Sequence, residues 1–277
     1  MQMMESPVIE SHGARIPLIG LGTMTLKDDV CIELVEAALH LGYRHLDTAQ
    51  MYGNEREVGS GMRGSGLKRE DIFLTTKVWF NRLAPGDFER SVDESLEKLG
   101  LPFVDLLMIH WPNAQIPLAG SIASLCKVKK AGLAKNIGVA NFNIAMIDEA
   151  TSLATEPIAV LQIETHPYLD QSKVIAAARR HGMAVVGYCP LARGKVPGDE
   201  TLQRIGRAHG KSASQVALRF LEQETIIPIP RTSKRERLAE NLGSLDFKLS
   251  NAEMKEIGNL KRPNSRIVSP PQAPQWD

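Results

Sequence analysis

Eight short apolar runs, at residues 18–21, 45–47, 72–76, 104–109, 136–139, 159–163, 184–188 and 226–229, alternate along this chain with segments of helical spacing. A β-α-β-α order without long interruptions favours a parallel sheet, because each return connection then carries a helix that covers the sheet. Eight such units favour closure into a barrel. Helical segments include 28–41, 88–99, 144–153 and 173–181, and Gly42, Gly100 and Gly182 stand where glycine commonly ends a helix. Ahead of the alternation, residues 8–19, broken at His12-Gly13, read as a hairpin. Behind it, residues 263–277, with Pro270, Pro271 and Pro274, read as a tail. The expected fold is α/β, a (β/α)8 TIM barrel with an N-terminal β-hairpin and a C-terminal tail. Its 277 residues suit one domain spanning 1–277, since such barrels run to about 250 residues.

Composition narrows the partners. A hydrophobic content of 43% supports a large core, and a formal net charge of +1 offers no general attraction to nucleic acid or an anionic membrane. The start M-Q-M-M-E-S-P-V has neither a long apolar run nor a basic flank, and no segment reaches the roughly 20 apolar residues that span a bilayer. A cytoplasmic protein with no nucleic-acid or membrane partner is expected. Cys31, Cys126 and Cys189 are odd in number and widely separated, without C-x-x-C or His spacing. Neither disulfides nor a metal site is expected, and Cys189 is read as a buried, inert thiol.

Three candidate groups stand at the ends of apolar runs: Asp47, Lys77 and His110, with Tyr52 in the loop after Asp47. In a parallel barrel these ends converge on one face, where barrel enzymes carry out their chemistry. A phenol has an ordinary pKa of about 10, so its use as a proton donor near neutrality calls for a nearby cation, itself held by a carboxylate. Tyr52, Lys77 and Asp47 supply those parts. Other motifs read more plainly. Gly59, Gly61 and Gly64 spell G-x-G-x-x-G, but a charged stretch precedes them where a dinucleotide fold needs a strand. Gly210-Lys211-Ser212 lacks the earlier glycine of a phosphate loop, and Ser95-x-x-Lys98 lies within an amphipathic helix. Both read as surface features.

The chain resembles the aldo-keto reductase family along nearly its whole length, and within it the short bacterial 2,5-diketo-D-gluconate reductases of the B type, which also reduce methylglyoxal. The motifs that carry the resemblance stand in the family's order. They are G-L-G-T from Gly20, D-T-A-Q-M-Y-G-N-E from Asp47, T-T-K-V-W around Lys77, I-H-W-P around His110, G-V-A-N-F from Gly138, Q-I-E-T-H-P-Y from Gln162 and Y-C-P-L-A from Tyr188. The ending R-I-V-S-P-P-Q-A-P-Q-W-D is similar too.

The resemblance implies NADPH-dependent reduction of small aldehydes and ketones, with 2,5-diketo-D-gluconate and methylglyoxal-like dicarbonyls foremost. It implies a catalytic tetrad in which Tyr52 gives the proton, Lys77 lowers its pKa, Asp47 holds Lys77 and also borders the cofactor, and His110 orients the carbonyl. Asn141 and Gln162 are expected on the nicotinamide carboxamide and Tyr188 on its ring, with Thr23, Met24, Pro190 and Leu191 lining the same pocket. I-P-R-T-S-K-R-E-R-L-A-E-N resembles the loop for the adenosine 2′-phosphate, with Arg231, Thr232 and Arg237 at the phosphate and Glu240 and Asn241 at adenine. An arginine fork binds phosphate bidentately. Trp79, Phe80, Trp111 and Trp276, with Tyr52 and His110, are the expected walls of the substrate pocket.

Two departures from the pattern are Ala140 and Cys189, each in place of a serine. The chain is short between Pro112 and Ser121 and after Arg262, which predicts an open pocket. A rival reading is a non-enzymatic NADPH-binding module on the same fold, against which the complete tetrad argues. A barrel lyase or isomerase would need a phosphate or metal site that the sequence does not offer.

Overall fold

The computed structural model describes residues 7–277; the M-Q-M-M-E-S start lies outside them. A hairpin of β1 (Val8–Ser11) and β2 (Ala14–Pro17) leads the chain. Eight parallel strands follow: β3 (Leu21–Gly22), β4 (His45–Asp47), β5 (Phe73–Val78), β6 (Val104–Ile109), β7 (Ala134–Ala140), β8 (Ile158–Glu164), β9 (Ala184–Tyr188) and β10 (Ile226–Pro228). Each pairs with its neighbours in sequence. The ring closes where Gly20 N–H donates to the Pro228 carbonyl at 3.0 Å and Gly22 N–H to Pro230 at 3.1 Å. This is the expected (β/α)8 TIM barrel.

Helices fill the connections: α1 (Asp28–Leu41), α2 (Glu55–Gly64), α3 (Asp87–Leu99), α4 (Leu118–Lys130), α5 (Ile144–Leu153) and α6 (Ser172–Arg180). Two helices, α7 (Glu200–His209) and α8 (Ala213–Gln223), join β9 to β10, and α9 (Glu236–Leu242) and α10 (Asn251–Gly258) complete the ring. The core has two layers, as alternating strand residues require. One face of the strands packs against the helices. The other fills the barrel with Leu106, Met108, Val160, Val186 and Ile227, and the hairpin adds Ala14 and Ile16 to that inner cluster.

The first barrel strand is shorter than the apolar run at 18–21 suggests. Close packing explains it: a Cβ at Gly20 would lie 2.7 Å from the buried His45 ring, and one at Gly22 would lie 2.9 Å from the Ile229 carbonyl. The strand is pressed into the closing seam of the barrel. The G-x-G-x-x-G run is helical, within α2, as the preceding charges indicated. Its glycines serve packing, since a Cβ at Gly59 would collide with the Leu99 carbonyl that ends α3. Of the two motifs read as surface features, Ser95 is buried and Ser212 half-buried. Ser95 is fully buried and accepts from Gln50 Nε2 at 3.0 Å, while Ser212 caps α8 by accepting from Gln215 N–H.

Candidate active site

The strand ends set the site. Asp47 closes β4, Lys77 sits one residue before the end of β5, and His110 follows β6 directly. Because β4, β5 and β6 are neighbours in register, these three side chains meet at one mouth of the barrel. Lys77 Nζ donates to Asp47 Oδ1 at 2.6 Å and to the Thr48 carbonyl at 2.9 Å. Gln162, on β8, donates its amide to the other carboxylate oxygen of Asp47 at 2.8 Å. Tyr52 ends a short 3₁₀ turn, Gln50–Tyr52, and Lys77 Nζ lies 5.1 Å from the centre of its ring. The His110 ring meets Tyr52 edge to face at 5.6 Å and Trp79 at 5.0 Å.

Burial governs the charges. Removal from water pushes the Lys77 ammonium below its ordinary value, against the pull of Asp47. Burial and the nearby Lys77 charge push His110 well below 6.5, so the imidazole is neutral at physiological pH. Its Nδ1 has no hydrogen-bond partner among the described residues. Tyr52 departs from the sequence expectation. Burial first, then the Asp47 carboxylate, raise its phenol well above 10 rather than lowering it. The free protein therefore carries Tyr52 fully protonated.

These groups open onto a cavity of about 1060 Å³. Asp47, Tyr52, Trp79, His110 and Trp111 line it from the strand ends, and Asn141, Gln162, Tyr188, Pro190 and Leu191 continue the wall. Met24 joins from the turn before α1, while Arg231, Thr232, Arg237, Glu240 and Asn241 come from the segment after β10. Tyr188 donates its hydroxyl to Asn141 Oδ1 at 2.7 Å, and Asn141 Nδ2 donates to the His110 carbonyl at 2.9 Å. Both amides expected at the nicotinamide are thus engaged with neighbours of the site.

Several expected residues stand elsewhere. Thr23 is fully buried behind the wall, its hydroxyl donating to the Asp47 carbonyl, because the chain turns inward there; Gly22, Met24 and Thr25 form the lining instead. Phe80 is off the wall and packs edge-on against Trp79 at 5.1 Å. Trp276 backs Trp111 at 6.1 Å without reaching the cavity, held under the Arg266 guanidinium at 3.7 Å. Cys189 is half-buried on the cavity wall rather than enclosed, and burial raises its thiol above the ordinary range.

Sequence reasoning missed two supports inside the D-T-A-Q-M-Y-G-N-E block. Buried Asn54 donates to the Thr23 and Leu26 carbonyls and accepts from Thr48 Oγ1, tying the turn before α1 to the strand end of Asp47. Gln50 accepts from Trp79 N–H at 3.0 Å and donates to the Ser91 carbonyl, which fixes the turn that carries Tyr52. Arg193 and Arg207 on the wall were also missed, and Lys211 was read only as a surface feature; the cationic A-R-G-K run after Tyr188 was the available signal for Arg193.

The wall suits a long anionic ligand. Arg231 and Arg237 are exposed on it, and among the described residues neither forms a salt bridge with a carboxylate. Arg231 Nε is steadied by the Met24 carbonyl at 3.1 Å. Two guanidiniums on one cavity, with uncharged Asn141, Gln162 and Tyr188 elsewhere on its wall, fit a dinucleotide with a phosphorylated ribose. Among the described residues no cluster of side chains suits a metal ion, and no helix is long and apolar enough to cross a membrane.

Comparisons with known proteins place the chain in a family. The chain is 42% identical over 266 residues to methylglyoxal reductase DkgB of Escherichia coli O157:H7, covering 95% of this chain and 99% of the relative. Its fold matches a solved structure provisionally named 2,5-diketo-D-gluconic acid reductase B, with TM-score 0.96, 47% identity and coverage of 98% and 97% of the two chains. It also matches a Bombyx mori aldo-keto reductase solved with NADP, with TM-score 0.89, 31% identity and coverage of 97% and 96%. The profile of the Aldo/keto reductase family spans residues 18–262, and the chain belongs to that family.

Proposed function

We propose that this oxidoreductase reduces small aldehydes and ketones to alcohols with NADPH, and that 2,5-diketo-D-gluconate and methylglyoxal-like dicarbonyls are its leading substrates. The observation that carries the reading is the convergence of a protonated phenol, a neutral imidazole and a water-excluded ammonium–carboxylate pair on a cavity with two guanidiniums that meet no carboxylate among the described residues.

NADPH, when bound, supplies hydride to the carbonyl carbon. Arg231, Thr232 and Arg237 would hold its 2′-phosphate, Glu240 and Asn241 its adenine, and Asn141, Gln162 and Tyr188 its nicotinamide end. Tyr52 delivers its phenolic proton to the carbonyl oxygen as negative charge develops there. The high pKa of Tyr52 in the free protein is no obstacle, since an alkoxide is more basic than a phenolate and the proton moves downhill. Lys77, against the Tyr52 ring, stabilises the phenolate left behind, and Asp47 and the Thr48 carbonyl keep the ammonium in place. Neutral His110 positions the carbonyl oxygen without competing for the proton. Trp79 and Trp111 supply apolar wall that limits water at the reacting atoms.

A monomer is the proposed working unit, and light scattering of the purified protein tests it. The names of the similar proteins support dicarbonyls as substrates. Mixing purified protein with NADPH and methylglyoxal and following the loss of nicotinamide absorbance tests the activity. A panel of sugar dicarbonyls ranked by kcat/KM tests the substrate class. A steroid ketone reduced more efficiently than either dicarbonyl would overturn it.

A further inference from the structure

The C-terminal tail is fastened across the cavity mouth at two places. At the first, Glu164, the last residue of β8, is excluded from water. Its Oε1 accepts from the backbone N–H of Ile267 at 2.7 Å and its Oε2 from that of Val268 at 2.8 Å. His166 Nε2 lies 3.0 Å from Oε1. Gln171 reinforces the joint, donating to the Glu164 carbonyl at 3.1 Å and accepting from Arg266 at 3.2 Å. At the second place the Asp277 side chain accepts from Ile144 N–H at 2.9 Å and the Gln275 carbonyl accepts from Asn143 at 3.0 Å, both at the start of α5.

The stretch between the clasps forms part of the cavity wall. Val268, Pro270 and Gln272 face the same cavity as Tyr52 and His110. Ser265 and Ile267 line a second hollow, of about 490 Å³. The tail thus passes between two hollows, anchored by the contact of Ile267 with the core and by the two hydrogen bonds to Glu164. A buried carboxylate must have its acceptors filled, and here the tail's own N–H groups fill them with charge-assisted bonds. Gln162 stands two residues before Glu164 on the same strand and so projects to the same side.

We propose that Glu164 is a positioning residue whose carboxylate sets the height of the tail over the carbonyl site, and with it the size of carbonyl compound admitted. The proposal rests on the reading of the cavity as a carbonyl-reducing site. Glu164→Gln preserves shape but turns one acceptor into a donor, leaving one tail N–H unpaired. Hydrogen exchange at the Ile267 and Val268 amides, measured without substrate, should accelerate about tenfold or more. The KM for methylglyoxal should rise while kcat holds within about twofold. The kcat/KM of a bulky aromatic ketone relative to methylglyoxal should rise on the order of tenfold, the scale of one altered pocket contact. Asp277→Ala opens the outer clasp without touching a buried charge and should shift selectivity the same way, by less. Unchanged amide exchange in Glu164→Gln overturns the proposal, as does faster exchange with unchanged selectivity in both variants. A parent enzyme that reduces no carbonyl compound would instead sink the functional reading, while accelerated exchange would still uphold the clasp.

Discussion

Lys77 and Asp47 form an ion pair closed off from water, Nζ to Oδ1 at 2.6 Å with the two side chains 0% and 1% exposed. Each charge is compensated chiefly by the other. Lys77→Met should therefore destabilise the protein by about 3–5 kcal/mol, the cost of stranding a buried charge, and should also impair reduction severely. Urea unfolding measures the first effect and steady-state kinetics the second. Pairing it with Asp47→Leu should recover much of the stability but none of the activity. A single variant as stable as the parent would show that the pair is not ionised in the fold.

Arg237 has no carboxylate partner among the described residues and reaches the cavity from α9. Arg237→Ala should weaken NADPH much more than NADH, because only NADPH offers it a second charge. Hydrogen bonds to charged groups contribute about 1.5–3 kcal/mol, so NADPH affinity should fall about tenfold or more. Fluorescence titration with both cofactors checks this, and equal losses would remove Arg237 from the phosphate site.

Periodicity exposed the barrel because strands near 45–47, 104–109 and 184–188 are bounded by sharp changes of residue type, and the structure begins and ends them at those residues. Asp47, Lys77 and His110 were legible for the same reason: a parallel barrel brings successive strand ends together whatever the loops do. Contacts made across long stretches of chain were not legible. Nothing near Glu164 announces that its oxygens await Ile267 and Val268, about a hundred residues later. Ser95 reads as solvated by type but is fully buried, because Gln50 from a distant turn supplies its hydrogen bond. The rise of the Tyr52 pKa followed the same pattern, since burial and the Asp47 carboxylate set it in the fold.

His45 and Glu222 should oppose each other in the pH dependence of stability. Burial pushes His45 down to about 4, so the unfolded chain takes up a proton between about 6.5 and 4 that the fold refuses. That contribution is complete above pH 6.5 and is lost as pH falls. Burial pushes Glu222 up to about 7, against Ser244 and Arg219, so the fold keeps a proton that the unfolded chain releases. Its contribution is complete below about 4.5 and is lost as pH rises through 7. Each amounts to about 3 kcal/mol, and the windows overlap. Glu222→Gln retains an acceptor for Ser244 and removes the alkaline loss. Urea midpoints between pH 4.5 and 8 should then climb more steeply with pH than the parent's. Parallel profiles for the two proteins would show that Glu222 is ionised in the fold.

Tyr52→Phe tests the proton donor with the least disturbance. The ring keeps its edge contact with His110 and its place beneath the Lys77 ammonium, and only the hydroxyl is lost. Cofactor affinity should persist, because the guanidiniums proposed to hold the 2′-phosphate belong to the segment after β10. Turnover should collapse by about 10² to 10⁴, the usual contribution of a positioned general acid. His110 cannot take over, since burial and Lys77 keep its ring neutral and it would have to become an anion to give up a proton. Single-turnover reduction of methylglyoxal by NADPH-saturated Tyr52→Phe measures the step directly. A rate close to the parent's would place the donor in water or another side chain and remove Tyr52 from the mechanism.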